Sequence, residues 1–480
     1  MTDPTSIHRA ADAAAEERLH AVERNLLPIV SVAGRDVHWT MDERQAHYGC
    51  PAVSVAVMKD GVIDWVGAWG RRNIDDPTPA DPDTVFLVAS CSKPVTGVMV
   101  LQQVDRGVID LDTDVNTYLR RYQVPRNEFT DAHPVTLRRI LSHTAGLNIN
   151  GWGVTPNDGR PVPTVDDLLY GRPPSKYGPV EVDKAHDGTD RYSGAGFLIA
   201  QMVLEDMLGT TFDRLAEELV FAPLGMTRSS FLHPMPARFH SNFAAGHGDD
   251  GRPHPGGWMI SSEMAAGGLV STAGDYARFM LGVRAAWLGE GGLLSRAIAR
   301  EMMTRVERSS FGLGARVLGS GESLRFNHGG SNDGYQSESN AYLETGNGAV
   351  VLTNSTSGLF LWKEVMNGIA DVYGWPGFLP PPKHNKQMTL EEKQRYVGAY
   401  RIEVGIELPR INIWIEDGVL LSEIPGLRFG VQEAFLDENG TMYTGSGAFD
   451  VHVDYGPDGR AERLRVMEGE LLVISARRED

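Results

Sequence analysis

Residues 379 to 387, LPPPKHNKQ, divide the chain into two stretches whose apolar residues follow different periods. Three successive prolines neither continue a helix nor donate to a sheet ladder, so a linker is the reading. Before it, helical spacing alternates with buried strands. After it come short alternating runs, such as Ile411-Asn412-Ile413-Trp414-Ile415 and Phe449 to Tyr455, broken by Glu416-Asp417-Gly418 and Gly456-Pro457-Asp458-Gly459. That pattern predicts an all-β domain. The expected organisation is a first domain over 1–378, a linker over 379–387 and a C-terminal domain over 388–480.

In the first stretch, residues 11 to 24 carry Ala, Leu and Val among charges at helical spacing, predicting an amphipathic helix. Val53, Val55 and Val57 alternate, Lys59-Asp60-Gly61 supplies a turn, and Val62 to Val66 returns, predicting a hairpin. Residues 94 to 104, PVTGVMVLQQV, predict a buried helix with proline in its first turn, where the missing N–H costs nothing. Residues 148 to 191 are crowded with Gly, Pro, Asp and Asn around one short helical stretch, TVDDLLYG, and loops of that length often border binding sites. Further helices are predicted over 194–208, 213–220 and 273–288, irregular structure over 232–258, and interior strands between 310 and 355, Gly348 to Thr353 among them.

Charge excludes some functions. Lys plus Arg number 45 against 63 Asp plus Glu, a net charge of -18 that repels nucleic-acid backbones and anionic headgroups. No run approaches the roughly 18 apolar residues of a membrane span. The N-terminal stretch carries charges throughout and lacks an apolar export core, so a cytoplasmic protein is expected. Cys50 and Cys91 are too few for a disulfide framework and lack metal-ligand spacing. His233, His240, His247 and His254 recur every seventh residue, but in irregular Pro- and Gly-rich sequence that puts them on no common helical face, so no metal is expected there.

The chain has no G-x-S-x-G elbow, no Walker Gly-Lys-Ser/Thr and no H-E-x-x-H. What remains is Ser90-Cys91-Ser92-Lys93. Residues three apart share a helix face, so a helix opening at Ser90 lets the Lys93 amine reach its hydroxyl, and the helix N-terminus favours developing negative charge. Alone, the same four residues also describe a helix cap followed by a surface lysine.

The run Thr84 to Lys93, the segment Leu137 to Leu147 (LRRILSHTAGL), Tyr192-Ser193-Gly194 and His328-Gly329-Gly330-Ser331 together resemble the serine β-lactamase and penicillin-binding-protein superfamily. The branch is that of the class C β-lactamases with their D-aminopeptidase, D-amino-acid amidase and esterase relatives. The likeness spans roughly residues 45 to 360, Ala266 to Thr272 and Phe311 to Gly314 included. It implies an α+β fold, a class C β-lactamase-like antiparallel sheet flanked by helices with an all-α subdomain, the site lying between sheet and helices. Arg395 to Tyr400 resembles the start of the lipocalin-like β-barrel that some relatives append. The resemblance further implies Ser90 as nucleophile and Lys93 with Tyr192 as its proton-handling pair, which of the two starts as base being left open. His328-Gly329-Gly330 falls where relatives carry Lys-Thr-Gly or His-x-Gly, and the N–H of Ser331 with that of Ser90 would form the oxyanion hole. No metal or organic cofactor is implied. The partner is a small-molecule ester, amide or short peptide, and homo-oligomerisation stays open.

Two departures bear on substrate. The asparagine that ends Tyr-x-Asn in β-lactamases is Gly194 here, and the lysine of Lys-Thr-Gly is His328, only partly charged at neutral pH. Both point away from β-lactams and toward ester, amide or D-aminoacyl peptide hydrolysis through a covalent acyl-enzyme. β-Lactamase activity and a non-hydrolytic, penicillin-binding-type binder or sensor are the alternatives. His143 reads as structural, and Trp152, Trp258 and Tyr335 as core or rim.

Overall fold

The computed structural model describes residues 6–405, 408–426, 430–444, 449–468 and 471–479; residues 1–5 and 480, at the outer ends of the two expected domains, lie outside them. Its longer helices are α1 (Ala13–Glu23), α2 (Met41–Tyr48), α3 (Ser92–Asp105), α4 (Gly194–Leu208), α5 (Ala273–Leu288) and α6 (Gly358–Val372). The chain forms two compact units, one of residues 1–20 and 50–362, the other of 21–49 and 363–480.

The larger unit is built on an antiparallel sheet of β1 (Ser6–Ala10), β2 (Ala52–Lys59), β3 (Val62–Asn73), β4 (Asp76–Pro79), β5 (Arg316–Leu318), β6 (Arg325–Asn332), β7 (Tyr335–Tyr342) and β8 (Gly348–Thr353). The strand order is β1-β3-β2-β8-β7-β6-β5, with β4 on the far end of β3. β2 and β8 are buried along their length, as their Val- and Ala-rich sequences require, and α5 packs across β2, β3 and β8. β7 is buried too, although it reads YQSESNAY. Its polar side chains are accommodated by hydrogen bonds: Ser337 Oγ to Val88 O at 2.9 Å, Ser339 Oγ to His328 O at 3.0 Å, and Glu338 Oε1 accepting from the Asn327 and Asn340 amides at 3.0 and 2.9 Å. Such a strand shows no apolar alternation.

Three of the expected helices arise where the sequence places them. α3 has Pro94 in its first turn, α4 begins at Gly194 and stops at Gly209 in the left-handed conformation, and α5 is capped by Thr272, whose hydroxyl accepts the Asp275 N–H at 3.1 Å. The stretch expected as a helix over 213–220 is a helix with a wide turn at Glu217–Phe221. A two-stranded pairing of Phe86–Leu87 with Val270–Ser271 lays the segment entering α3 beside the turn Met264–Gly267. This pairing assembles the site.

In the second unit, β9 (Gly398–Val404), β10 (Arg410–Glu416), β11 (Val419–Glu423), β12 (Gln432–Leu436), β13 (Met442–Thr444), β14 (Asp450–Tyr455), β15 (Ala461–Glu468) and β16 (Leu471–Arg478) form a closed antiparallel barrel, β16 pairing back onto β9. Closure leaves no free edge. Tyr400, Leu420, Leu464 and Ala476 fill its interior. The short helix Leu390–Gln394 precedes the barrel, set by a capping box of Thr389 and Glu392, in sequence read as wholly β. The same unit holds a buried charge cluster in which Arg44 donates to Glu364 through Nε and Nη2, both at 2.7 Å, and the Tyr48 hydroxyl donates to Glu364 Oε1 at 2.7 Å. Among the described residues no helix is long and apolar enough to cross a membrane.

Candidate active site

Ser90 lies in a single helical turn, Ala89–Cys91, that runs into α3 at Ser92. Ala89 has φ 49°, a left-handed conformation that an L-residue with a side chain adopts only when its surroundings hold it there. Ser92 supplies the hold. Its hydroxyl donates to Ala89 O at 2.7 Å and accepts the Leu269 N–H at 2.9 Å.

Lys93 is 2 % exposed, and its Nζ stands 3.0 Å from Ser90 Oγ and 2.8 Å from Ala266 O. A second bond from α3, Thr96 Oγ1 to Ala265 O at 2.7 Å, fixes the Met264–Gly267 turn against the same helix. The Lys93 amine lies over the Tyr192 ring, 4.8 Å from its centroid, and 5.6 Å from that of Phe197. Among the described residues the Tyr192 hydroxyl makes no hydrogen bond. The structure thus brings Lys93 into contact with Ser90 and Tyr192 into contact with Lys93 through its ring.

Tyr192 rests on His143, ring centroids 4.2 Å apart and nearly parallel. His143 is buried with φ 60°, and its Nδ1 accepts the Ser193 N–H at 3.1 Å. Burial, with the Lys93 cation adding to it, holds the imidazole well below the usual histidine range, so the ring is a neutral platform. Its structural reading acquires a position: directly beneath the site tyrosine.

His328 is also buried, and its Nδ1 meets Gly329 O at 2.6 Å. A carbonyl only accepts, so Nδ1 carries the proton and Nε2 a lone pair; Nε2 is buried and has no hydrogen-bond partner among the described residues. Burial first, then the Lys93 cation, push its pKa down to about 3. This corrects the expectation of partial charge: His328 is neutral at physiological pH and offers an acceptor where the sequence pattern has a lysine cation.

Gly330 permits β6 to approach the Ser90 turn, for a Cβ there would lie 2.3 Å from both Val88 O and Ser337 Oγ. Ser331 follows, exposed, opposite Gln336 of β7. Cys91 faces away, its Sγ 3.1 Å from His328 O, and burial pushes the thiol up to about 12.

One residue of the site is absent from the sequence reading. Glu263, 7 % exposed, sits at the mouth of the Met264–Gly267 turn, and its Oε1 accepts the N–H groups of Trp152 and Gly153 at 3.1 and 3.0 Å. Burial raises its carboxyl above the usual range while Lys93 opposes the rise. A Cβ on Gly194 would stand 2.8 Å from Glu263 Oε2, so the carboxylate lies where a side chain at position 194 would extend. The available signal was its isolation: in GGWMISSEMAAGGLVST, residues 256 to 272, Glu263 is the sole charged residue. The four histidines at seven-residue spacing disperse, His233 toward Gly268 O, His240 toward Met235 O, His247 onto Asn354 O and His254 onto Asp333.

Residues 39–366 match the Beta-lactamase family. Among curated proteins the chain is similar to penicillin-binding protein 4 of Amycolatopsis lactamdurans, 29 % identical over 249 residues, 50 % of this chain and 62 % of that protein. It is also similar to the mitochondrial serine beta-lactamase-like protein LACTB of Mus musculus, 31 % identical over 146 residues, 30 % of this chain and 24 % of that one. These matches span less than two thirds of either relative. Among solved structures, the octameric penicillin-binding protein homologue from Pyrococcus abyssi superposes with a TM-score of 0.58 at 19 % identity, covering 91 % of this chain and 98 % of that one. The D-amino acid amidase from Ochrobactrum anthropi SV3 complexed with L-phenylalanine amide gives 0.57 at 20 % identity, covering 74 % and 99 %. At such identities the structural likeness speaks for the fold.

Proposed function

The chain belongs to the Beta-lactamase family, and from that premise we propose that it is a serine hydrolase that cleaves small esters or amides, aminoacyl compounds included, through an acyl-enzyme on Ser90. The observation that carries the reading is the 3.0 Å separation between the buried Lys93 amine and Ser90 Oγ.

In the first half-reaction Ser90 Oγ attacks the substrate carbonyl carbon, and its proton passes to the Lys93–Tyr192 pair. The tetrahedral oxyanion is held by the N–H groups of Ser90 and Ser331, each such donor being worth about 2.7 to 4 kcal/mol. Collapse breaks the bond to the leaving group, which departs as alcohol or amine after taking that proton back. Water then adds to the acyl carbon, giving its proton to the same pair, and Ser90 is released with a carboxylic acid. Every step uses this chain's own groups.

The surroundings favour substrates without a carboxylate beside the scissile bond. Neutral His328 offers no cation to an anionic group, and Gly194 no amide to an acylamino chain. Esterase, amidase and D-aminopeptidase activity stand ahead of β-lactamase activity on these grounds.

The test is a parallel screen of nitrophenyl esters, D- and L-aminoacyl anilides and a chromogenic cephalosporin, with intact-mass spectrometry of the reacting protein. A transient adduct on Ser90 with many turnovers, abolished by Ser90→Ala, is expected. An adduct that never clears, or full activity in Ser90→Ala, would overturn the hydrolase mechanism in favour of a binder.

A further inference from the structure

Three side chains able to ligate a metal meet where β1 hands over to α1, and the proposed reaction uses none of them. His8 comes from β1, and Glu16 and His20 from α1, where residues four apart share a face. One ligand atom from each, two ring nitrogens and a carboxylate oxygen, lies within 4.8 Å of the other two. Among the described residues this is the one such group of three or more His, Cys, Asp or Glu side chains. The frame behind it is fixed. β1 pairs along β3, with His8 opposite Gly67, and Arg18 ties α1 to the same strand by donating to Asp64 through Nε and Nη2 at 2.8 and 2.6 Å. Between the two elements, Asp12 Oδ1 accepts the Ala15 N–H at 2.8 Å and the Ala11 N–H donates to Asp64 O at 2.8 Å. The ligands thus stand on a strand and a helix that share one anchor, not on a loop.

Charge and spacing both point to a cation between them. The arginines of these two elements are committed elsewhere, Arg9 to Asp83 and Arg18 to Asp64, and among the described residues the basic group paired with Glu16 is His8. His8 Nε2 stands 3.5 Å from Glu16 Oε1. That is wider than the about 2.7 to 3.2 Å of an N–H···O hydrogen bond. It matches the edge of a zinc tetrahedron, about 3.3 to 3.6 Å for bonds of about 2.0 to 2.2 Å. The His8 and His20 rings meet edge to face with centroids 5.6 Å apart, near the about 5 Å that two imidazoles reach on one zinc ion.

We propose that His8, Glu16 and His20 form a zinc site, two imidazoles and one carboxylate serving as ligands and water completing the tetrahedron. Two nitrogens and one oxygen suit zinc, whereas calcium and magnesium call for oxygen ligands. His8 and His20 are half-buried and Glu16 is exposed, so the ion enters from solvent and keeps one position open to it. β1 is the edge strand of the sheet, and zinc clasps it to α1. Because the three ligands come together only in the folded chain, binding stabilises the fold.

The experiment titrates the chelator-treated full chain with zinc chloride in a calorimeter and follows its melting temperature. One zinc per chain and a rise in melting temperature are expected. His8→Ala and His20→Ala should each remove the thermal shift and weaken binding at least about 100-fold, since loss of even an outer partner of a metal ligand costs about 10- to 100-fold. Glu16→Gln, of the same shape and at an exposed position, repeats the comparison without risk to the core and should bind zinc at least about tenfold more weakly. Cobalt in place of zinc should give the strong visible absorption of a tetrahedral site, lost in the same variants; the weak absorption of an octahedral ion contradicts the ligand set. Zinc that binds wild type and all three variants equally sits elsewhere and overturns the proposal, as does the absence of binding heat and thermal shift with zinc in large excess.

Discussion

Replacing Gly330 by alanine tests the close approach between β6 and the Ser90 turn. The new Cβ would stand 2.3 Å from Val88 O, 2.3 Å from Ser337 Oγ and 3.1 Å from Ala89 Cβ. Favourable contact begins near about 3.5 Å, so the strand must retreat by about 1 Å or the turn must yield. Neither side is soft: Val88 O is backbone, Ser337 Oγ is bonded to that same oxygen at 2.9 Å, and Ala89 already sits at φ 49°. Overpacking of this kind costs about 1 to 3 kcal/mol. A displacement of that size at a reacting centre costs about 100-fold in rate. Gly329→Ala is the control, since its added Cβ meets only the end of the Glu338 side chain within 3.5 Å, at 2.8 Å. The assay is kcat on the best nitrophenyl ester together with the melting temperature of each variant. Gly330→Ala should lose about two orders of magnitude and melt a few degrees lower, with Gly329→Ala within a fewfold of wild type. If Gly330→Ala turns over within threefold of wild type, this approach does not set the geometry of the site.

Three other perturbations follow from buried groups. His328 titrates at about 3 in the folded chain instead of near 6.5, so the folded state refuses a proton the unfolded chain accepts; its stability contribution is complete above about pH 6.5 and is lost as pH falls toward 3, amounting to about 2 kcal/mol at pH 5. Melting temperatures measured from pH 7 to 5 should fall, and His328→Gln should flatten that fall; an unchanged slope contradicts the burial argument. In the second unit, Glu364→Ala strands the buried Arg44 guanidinium and should cost about 3 to 5 kcal/mol by urea denaturation, against less than 1 if the cluster is dispensable. Burial raises the thiols of Cys50 and Cys91 to about 12, so Ellman's reagent should modify neither in the native protein, and prompt stoichiometric reaction would show one of them accessible.

Much of the scaffold was readable because the apolar period and the local stop signals agree there. The hairpin of β2 and β3, the helices α3, α4 and α5 and the strand β8 fall where Val alternation, Pro94, Gly209 and the β-branched run at Gly348 to Thr353 put them. β7 was not readable residue by residue, since its buried side chains are hydroxyls, amides and a carboxylate satisfied by partners far along the chain. α2 carried a legible cue, the Thr40 and Glu43 capping box with Gly49 closing the helix, but its few apolar residues hid the period. α6 buries Leu361, Val365, Met366 and Ile369 at helical spacing, directly after strand-like sequence.

At the site, Ser90 and Lys93 are three residues apart, so local geometry alone could propose their contact. Tyr192 and His328 required the resemblance. The neutral state of His328 and the place of Glu263 depend on burial and on a turn laid against α3 from about 170 residues away, as the Lys93–Ala266 bond shows. No local pattern encodes the first, and the one local cue to Glu263 is its isolation as the sole charged residue of residues 256 to 272.

The path of the chain between the two units has a consequence for biosynthesis. It passes from one to the other three times, between residues 20 and 21, 49 and 50, and 362 and 363. Residues 21–49 therefore leave the ribosome well before the rest of their body, which begins about 340 residues after residue 21, a delay on the order of 20 to 70 s at ordinary translation speeds. Through that interval Leu26, Val32 and Met41, buried in the finished molecule, are without their final shelter. The nascent chain is most exposed to aggregation in that window, and a chaperone that binds it would act there.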